Sequence, residues 1–175
     1  KAVAMASTTP DPADQQPSVE EIRTAMLDFA SEQNVRLQRH GFAGAKEGLE
    51  KARRDERFNK VADLLSREEL FLASAKEAYD ALARSLDELM ASKETISLKA
   101  RGREQIKGRV VRFDKNAMTL DMAARLQRGE PEGKIRVELR RVDSSSLIGL
   151  MDRHLSRDRA SREAAIAAFL ISRNE

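Results

Sequence analysis

The side chains that could do chemistry are few and scattered. His40 and His154 are the two histidines, far apart in the chain, and they read as polar residues at helix ends. An imidazole that binds metal or moves protons needs a partner ligand or an orienting group beside it. The acidic pairs Glu20-Glu21, Glu68-Glu69 and Asp87-Glu88 fall on the hydrophilic sides of helical periods. General acid-base work instead requires a carboxyl whose surroundings move its pKa toward the working pH. Ser144-Ser145-Ser146 offers three hydroxyls with no base beside them, and Asp143 in front of them suits a helix cap. The glycines form neither G-x-G-x-x-G nor G-x-x-x-x-G-K, and no kinase Gly-rich loop, HRD or DFG occurs. With no cysteine, disulfides, thiolate zinc sites and cysteine nucleophiles are excluded. These residues predict a non-catalytic chain with no metal and no cofactor. An enzyme would need another domain or subunit to complete its site.

What remains is charge, and it is unevenly placed. The chain carries a formal +3. Residues 1–94 hold 14 Lys/Arg against 18 Asp/Glu, whereas residues 95–142 hold 13 against 6. A basic stretch of this kind suits an anionic partner, either a nucleic acid or the acidic half of the same chain. Its outward positions are Lys99, Arg101, Lys107, Arg109, Arg136 and Arg140, which would bind phosphates without reading sequence if gathered on one face. Aromatic residues are only 4% of the chain, with no Trp, too few for a platform that stacks single-stranded bases. No apolar run approaches the roughly 20 residues that span a bilayer.

The elements that must position these residues follow from periodicity. Residues 1–17 read as a linker with Pro10, Pro12 and Pro17. The first residue is Lys, which suggests a processed or excised piece. Ala4-Met5-Ala6 resembles the end of a signal peptide, without the charged and apolar regions that should precede it. Ser18 and Glu21 form a capping box for a first helix with Ile22, Met26, Phe29 and Ala30 on one side. A second helix is predicted over 42–54, with Ala45, Leu49 and Ala52 inward, and a third from Glu56. Ser66 is a cap-like start for a long helix to Met90, with Leu70, Ala73, Tyr79, Leu82, Leu86 and Leu89 on its apolar side.

From Thr95 the period changes to two. Ile96, Leu98 and Ala100 alternate as a strand, and Arg101-Gly102-Arg103 turns. Ile106 to Phe113 follows, with Gly108 marking a bend or bulge after which Val111 and Phe113 face away from Ile106 and Val110. Asp114-Lys115-Asn116 closes a hairpin into Met118, Leu120 and Met122. Residues 125–133 form a loop, and Ile135, Val137 and Leu139 make a fourth strand. Asp143 and Asp158 cap two last helices. The predicted class is α+β: a helical hairpin or bundle over 18–94, a small bent antiparallel barrel over 95–142, and C-terminal helices over 143–175 that pack on either.

Three resemblances accompany these segments. Gly41-Phe42-Ala43-Gly44-Ala45 with Leu49 and Ala52 resembles the second helix of one tetratricopeptide repeat, which implies a closely packed helical hairpin. Ile96-Ser97-Leu98, Arg101-Gly102, Ile106-Lys107-Gly108-Arg109-Val110, Phe113-Asp114 and Met118-Thr119-Leu120 resemble the first motif of Sm-like proteins. That likeness implies a five-stranded bent barrel. Thr119 stands where Sm proteins commonly carry a base-contacting Asn, and SH3-like barrels with no nucleic-acid role share the strand pattern. The order of acidic helices, curved barrel and the helix Val142 to Met151 resembles accessory regions of multidomain bacterial proteins, those of planctomycete-type kinases and secreted proteins above all. It implies a non-catalytic interaction module whose partner is another protein or another domain of the parent chain. The alternative is sequence-independent nucleic-acid binding by the basic barrel.

Overall fold

The computed structural model describes residues 16–101, 103–114, 116–122 and 133–173. The sequence readings at Ala2–Ala6, Gly102, Lys115 and most of the 125–133 loop lie outside those residues.

Helix α1 (Val19–Gln38) starts at the capping box read from sequence: Ser18 Oγ accepts from the Glu21 amide, and Glu21 accepts from the Ser18 amide at 2.7 Å. It ends where His40 turns at a positive φ of 51° and the Gly41 amide closes on Arg36 O. Helix α2 (Phe42–Ala52) buries Ala45, Leu49 and Ala52. A single 3-10 stretch, Glu56–Val61, is capped by Asp55 and leads straight into α3 (Ala62–Ser92). Ser66 therefore caps nothing. It lies inside α3, its hydroxyl donating to Ala62 O at 3.2 Å, because no breaker separates it from the turn before.

Helix α3 has 31 residues, about 46 Å of helix, and runs through both cores. Leu65, Leu72, Tyr79 and Leu86, with Ala75, Leu82 and Leu89 between them, repeat every seven residues and set its buried seam. Leu70 and Ala73 fall off that seam and are exposed, against the inward placing that spacing alone suggested. The first half of the helix packs with Leu37, Leu49 and Phe58, and the second half with the sheet and the C-terminal helices.

The sheet is a four-stranded antiparallel meander in the order β1 (Thr95–Ala100), β2 (Arg103–Asp114), β3 (Ala117–Asp121), β4 (Lys134–Glu138). Leu98, Ile106, Val110, Met118, Leu120 and Val137 form its buried face, under Leu82, Leu86 and Leu89 of α3. Register shifts in β2 fall between Arg103 and Ile106 and between Val110 and Arg112, not at Gly108. Val111 is left unpaired and turned out, and Phe113, opposite Met118, returns to the same side as Val110. Phe113 thus packs against the core rather than on the opposite face, because the extra residue resets the alternation. Leu139 leaves the fourth strand for a 3-10 turn (Leu139–Arg141) but stays buried. Beyond it Val142 bridges Ala100, with Arg101 N donating to Arg141 O at 2.7 Å and Asp143 N to Lys99 O at 2.8 Å.

Helix α4 (Ser144–Met151) is capped by Asp143 and α5 (Arg159–Ser172) by Asp158. Both join the second core, where Leu147, Met151 and Phe169 are fully buried and Ser85 donates to Leu150 O at 2.5 Å.

Candidate functional site

Strand register decides which basic residues meet. Facing residues of an antiparallel pair share a side of the sheet. Lys107 faces Ser97, Arg109 lies between Thr95 and Asp121, Asp121 faces Lys134, and Arg112, Thr119 and Arg136 form one row across β2, β3 and β4. All of these lie on the side opposite Leu98, Ile106, Val110 and Leu120. Lys99, between buried Leu98 and Ala100, joins them and is exposed.

Of the six cations singled out from the sequence, Lys99, Lys107, Arg109 and Arg136 thus share the outer face. Arg101 and Arg140 do not. Arg101 follows the end of β1, and Arg140 lies in the 3-10 turn, its guanidinium on Glu138 at 2.8 Å. The structure adds Arg112 and Lys134 to the face. Arg136 is held by Asp114 at 2.9 Å. The amides of Asn116 and Ala117, together with Arg136, keep the Asp114 carboxyl below the usual carboxylate range. Among the described residues Lys99, Lys107, Arg109, Arg112 and Lys134 form no ion pair. No aromatic residue stands in the outward rows.

A second surface escaped the sequence reading. An apolar cleft of about 590 Å³ opens between α1, α3 and α5, walled by Met26, Phe29, Phe58, Leu64, Phe71 and Ile171. Leu64 and Ile171 are 44% and 60% exposed. Gln33 lines the cleft and is almost wholly buried. Its Nε2 donates to Ala45 O at 2.8 Å, while its Oε1 has no hydrogen-bond partner. Glu68 lines it too, half-buried, and burial raises its carboxyl above the ordinary glutamate value. The sequence signal for this cleft is weak because its walls come from three helices, two of them more than a hundred residues apart.

Several of the residues weighed for catalysis are engaged in packing, caps or ion pairs. His40 lies against the Tyr79 ring at 4.2 Å, and His154 Nε2 is 3.0 Å from Glu88 Oε2. Ser145 serves the cap of α4, and Ser146 Oγ accepts from the Lys99 amide at 3.1 Å. Glu21 serves the cap of α1 and Glu69 pairs with Arg53 at 2.6 Å. Among the described residues no group of three or more His, Asp and Glu side chains is placed to hold a metal ion. No described helix is long and apolar enough to cross a membrane. No protein-family model, no curated protein and no solved structure matches the chain.

Proposed function

We propose that the chain is a non-catalytic interaction module of a larger protein, whose helical cleft receives an apolar segment of a partner polypeptide or of another domain of the parent chain. The cleft between α1, α3 and α5 carries this reading. Its walls are apolar, as the core of a protein interface is, and its mouth leaves Leu64 and Ile171 exposed. Half-buried Glu68 adds an acceptor at the cleft, for which a polypeptide supplies donors and a lipid tail does not. The sheet is the scaffold in this reading, a small SH3-like barrel in which Val142, bridging Ala100, stands for the fifth strand. The hydrogen bonds around that bridge support it.

A photoreactive amino acid in place of Leu64 tests the cleft. In cells it is expected to give one discrete polypeptide adduct, or an internal adduct within the parent chain, that Ile171→Asp abolishes. The same group in place of exposed Leu70, outside the cleft, should give none. Equal adducts at both positions, or none at either, would overturn the reading.

One observation favours a second reading, sequence-independent binding of nucleic acid: the sheet's outer face gathers six cations, of which only Arg136 is in an ion pair among the described residues.

A further inference from the structure

The outer face of the sheet has a shape as well as a charge. Lys99 on β1, Lys107, Arg109 and Arg112 on β2, and Lys134 on β4 occupy one side of a surface whose other side is sealed against the helices. Strand spacing puts about 14 Å between β1 and β4, and strand rise puts roughly 16 Å between Lys107 and Arg112. The side chains between these cations are Thr95, Ser97 and Thr119, small and polar, together with the acid Asp121, and exposed Val111 at the bulge is the apolar exception. Protein interfaces need an apolar core, which this face lacks. Bound single strands need aromatic platforms, and the outward rows have none.

An array of five cations that make no ion pair among the described residues instead matches a rigid polyanion. Duplex nucleic acid carries one charge per about 1.7 Å of axis, so a 16 Å stretch presents about nine phosphates, twice the number on a single strand of that length. We infer that this face holds the phosphate backbone of a nucleic-acid duplex without reading its bases. The inference rests on the second reading above and narrows it to a structural class. Arg136 sits beside the array but is committed to Asp114, and Asp121 stands between Arg109 and Lys134, so the array's strongest end is Lys107, Arg109 and Arg112.

The test is fluorescence anisotropy with a labelled 20-base-pair duplex and with one of its strands alone, titrated between about 50 and 200 mM salt. With five phosphates neutralised, log K should fall with log salt at a slope near −4.5, a loss of several hundred-fold over that range. The duplex should bind at least tenfold tighter than the strand, and a second duplex of unrelated sequence should bind equally. Arg109→Ala with Arg112→Ala should flatten the slope by about 2, while Arg140→Ala should leave it unchanged. A strand bound as tightly as the duplex would overturn this inference and leave nucleic-acid binding standing. Binding of neither at 50 mM salt would overturn both. Poly-glutamate competing as well as duplex would show an acidic polypeptide to be the partner and would also overturn it.

Discussion

A methyl group added at Gly108 would lie 3.0 Å from Asp121 O and 3.1 Å from the Cβ of Leu120. The glycine is therefore present because β3 passes close, and both opposing groups are fixed by the ladder. Gly108→Ala should lower stability by about 1–3 kcal/mol through overpacking. Gly149, inside α4, is the contrasting case, since an added methyl would meet nothing within 4 Å. Gly149→Ala should raise stability by about 0.5–1 kcal/mol, from helix propensity and the entropy of the unfolded chain. Urea midpoints of the two variants check this, and shifts in the same direction would refute it. The pair also marks what single residues disclose in a sequence. A glycine inside a strand run signals either a bulge or a close approach, and only the neighbouring strand, here Leu120 and Asp121 of β3, tells them apart. Caps are more legible where the chain before them is not already helical: Ser18, Asp143 and Asp158 act as their local sequence announces, whereas Ser66 is overrun by the turn that precedes it.

Elements are legible where one periodicity holds and obscure where it breaks. The four strands lie within a few residues of their predicted places, since alternation of Leu98 with Ala100, or of Met118 with Leu120, needs no distant partner to be read. Arg112 is hidden by the bulge one residue before it, which moves it to the outer face against the naive count. In α3 a heptad of leucines and alanines competes with a second row containing Leu70, and tertiary contacts choose the first. Those contacts also give the helix two tenancies, one at Leu65 and Leu72 beside Phe58, the other at Leu82, Leu86 and Leu89 beneath the sheet. Phe58, edge-on to Phe29 at 5.7 Å, belongs wholly to the first. Phe58→Ala should cost about 3–5 kcal/mol locally. Hydrogen exchange should then accelerate over α1, α2 and the first half of α3, and hold steady over β2 and β3. Equal acceleration of the β3 amides would mean that α3 couples the two clusters into one unit.

At the scale of the molecule, the carboxyl groups divide by what surrounds them. Glu21, Asp114, Asp143 and Asp158 are held below their ordinary values, chiefly by hydrogen bonds from backbone amides or from serine hydroxyls at caps and the hairpin. Among the described carboxyls only Glu68 is shifted upward, by burial, in the cleft it shares with Arg67. A depressed carboxyl contributes stability that is present above its unfolded pKa, near 4, and is lost as pH falls through the folded value. A raised one acts with the opposite sign: it costs stability at neutral pH, and the cost fades as the pH drops through the folded value towards the unfolded one. Glu47, Asp55, Glu69 and Glu138 are lowered as well, each first by a hydrogen bond from a neighbouring Lys or Arg, and eight depressed groups against one raised group predict a urea midpoint that is flat near neutrality and drops below about pH 4, helped by self-repulsion as the acids lose charge and 32 Lys and Arg remain. Glu68→Gln isolates the opposing contribution. It should raise the midpoint at pH 7 and leave it nearly unchanged at pH 4, where the carboxyl of the parent protein is already protonated. A carboxylate kept in an apolar cleft at a cost to folding would accord with the docking role proposed for the cleft. If Glu68→Gln instead lowered stability at pH 7, the carboxylate would be serving the fold, and the proposed docking role of the cleft would lose the polar group that supports it.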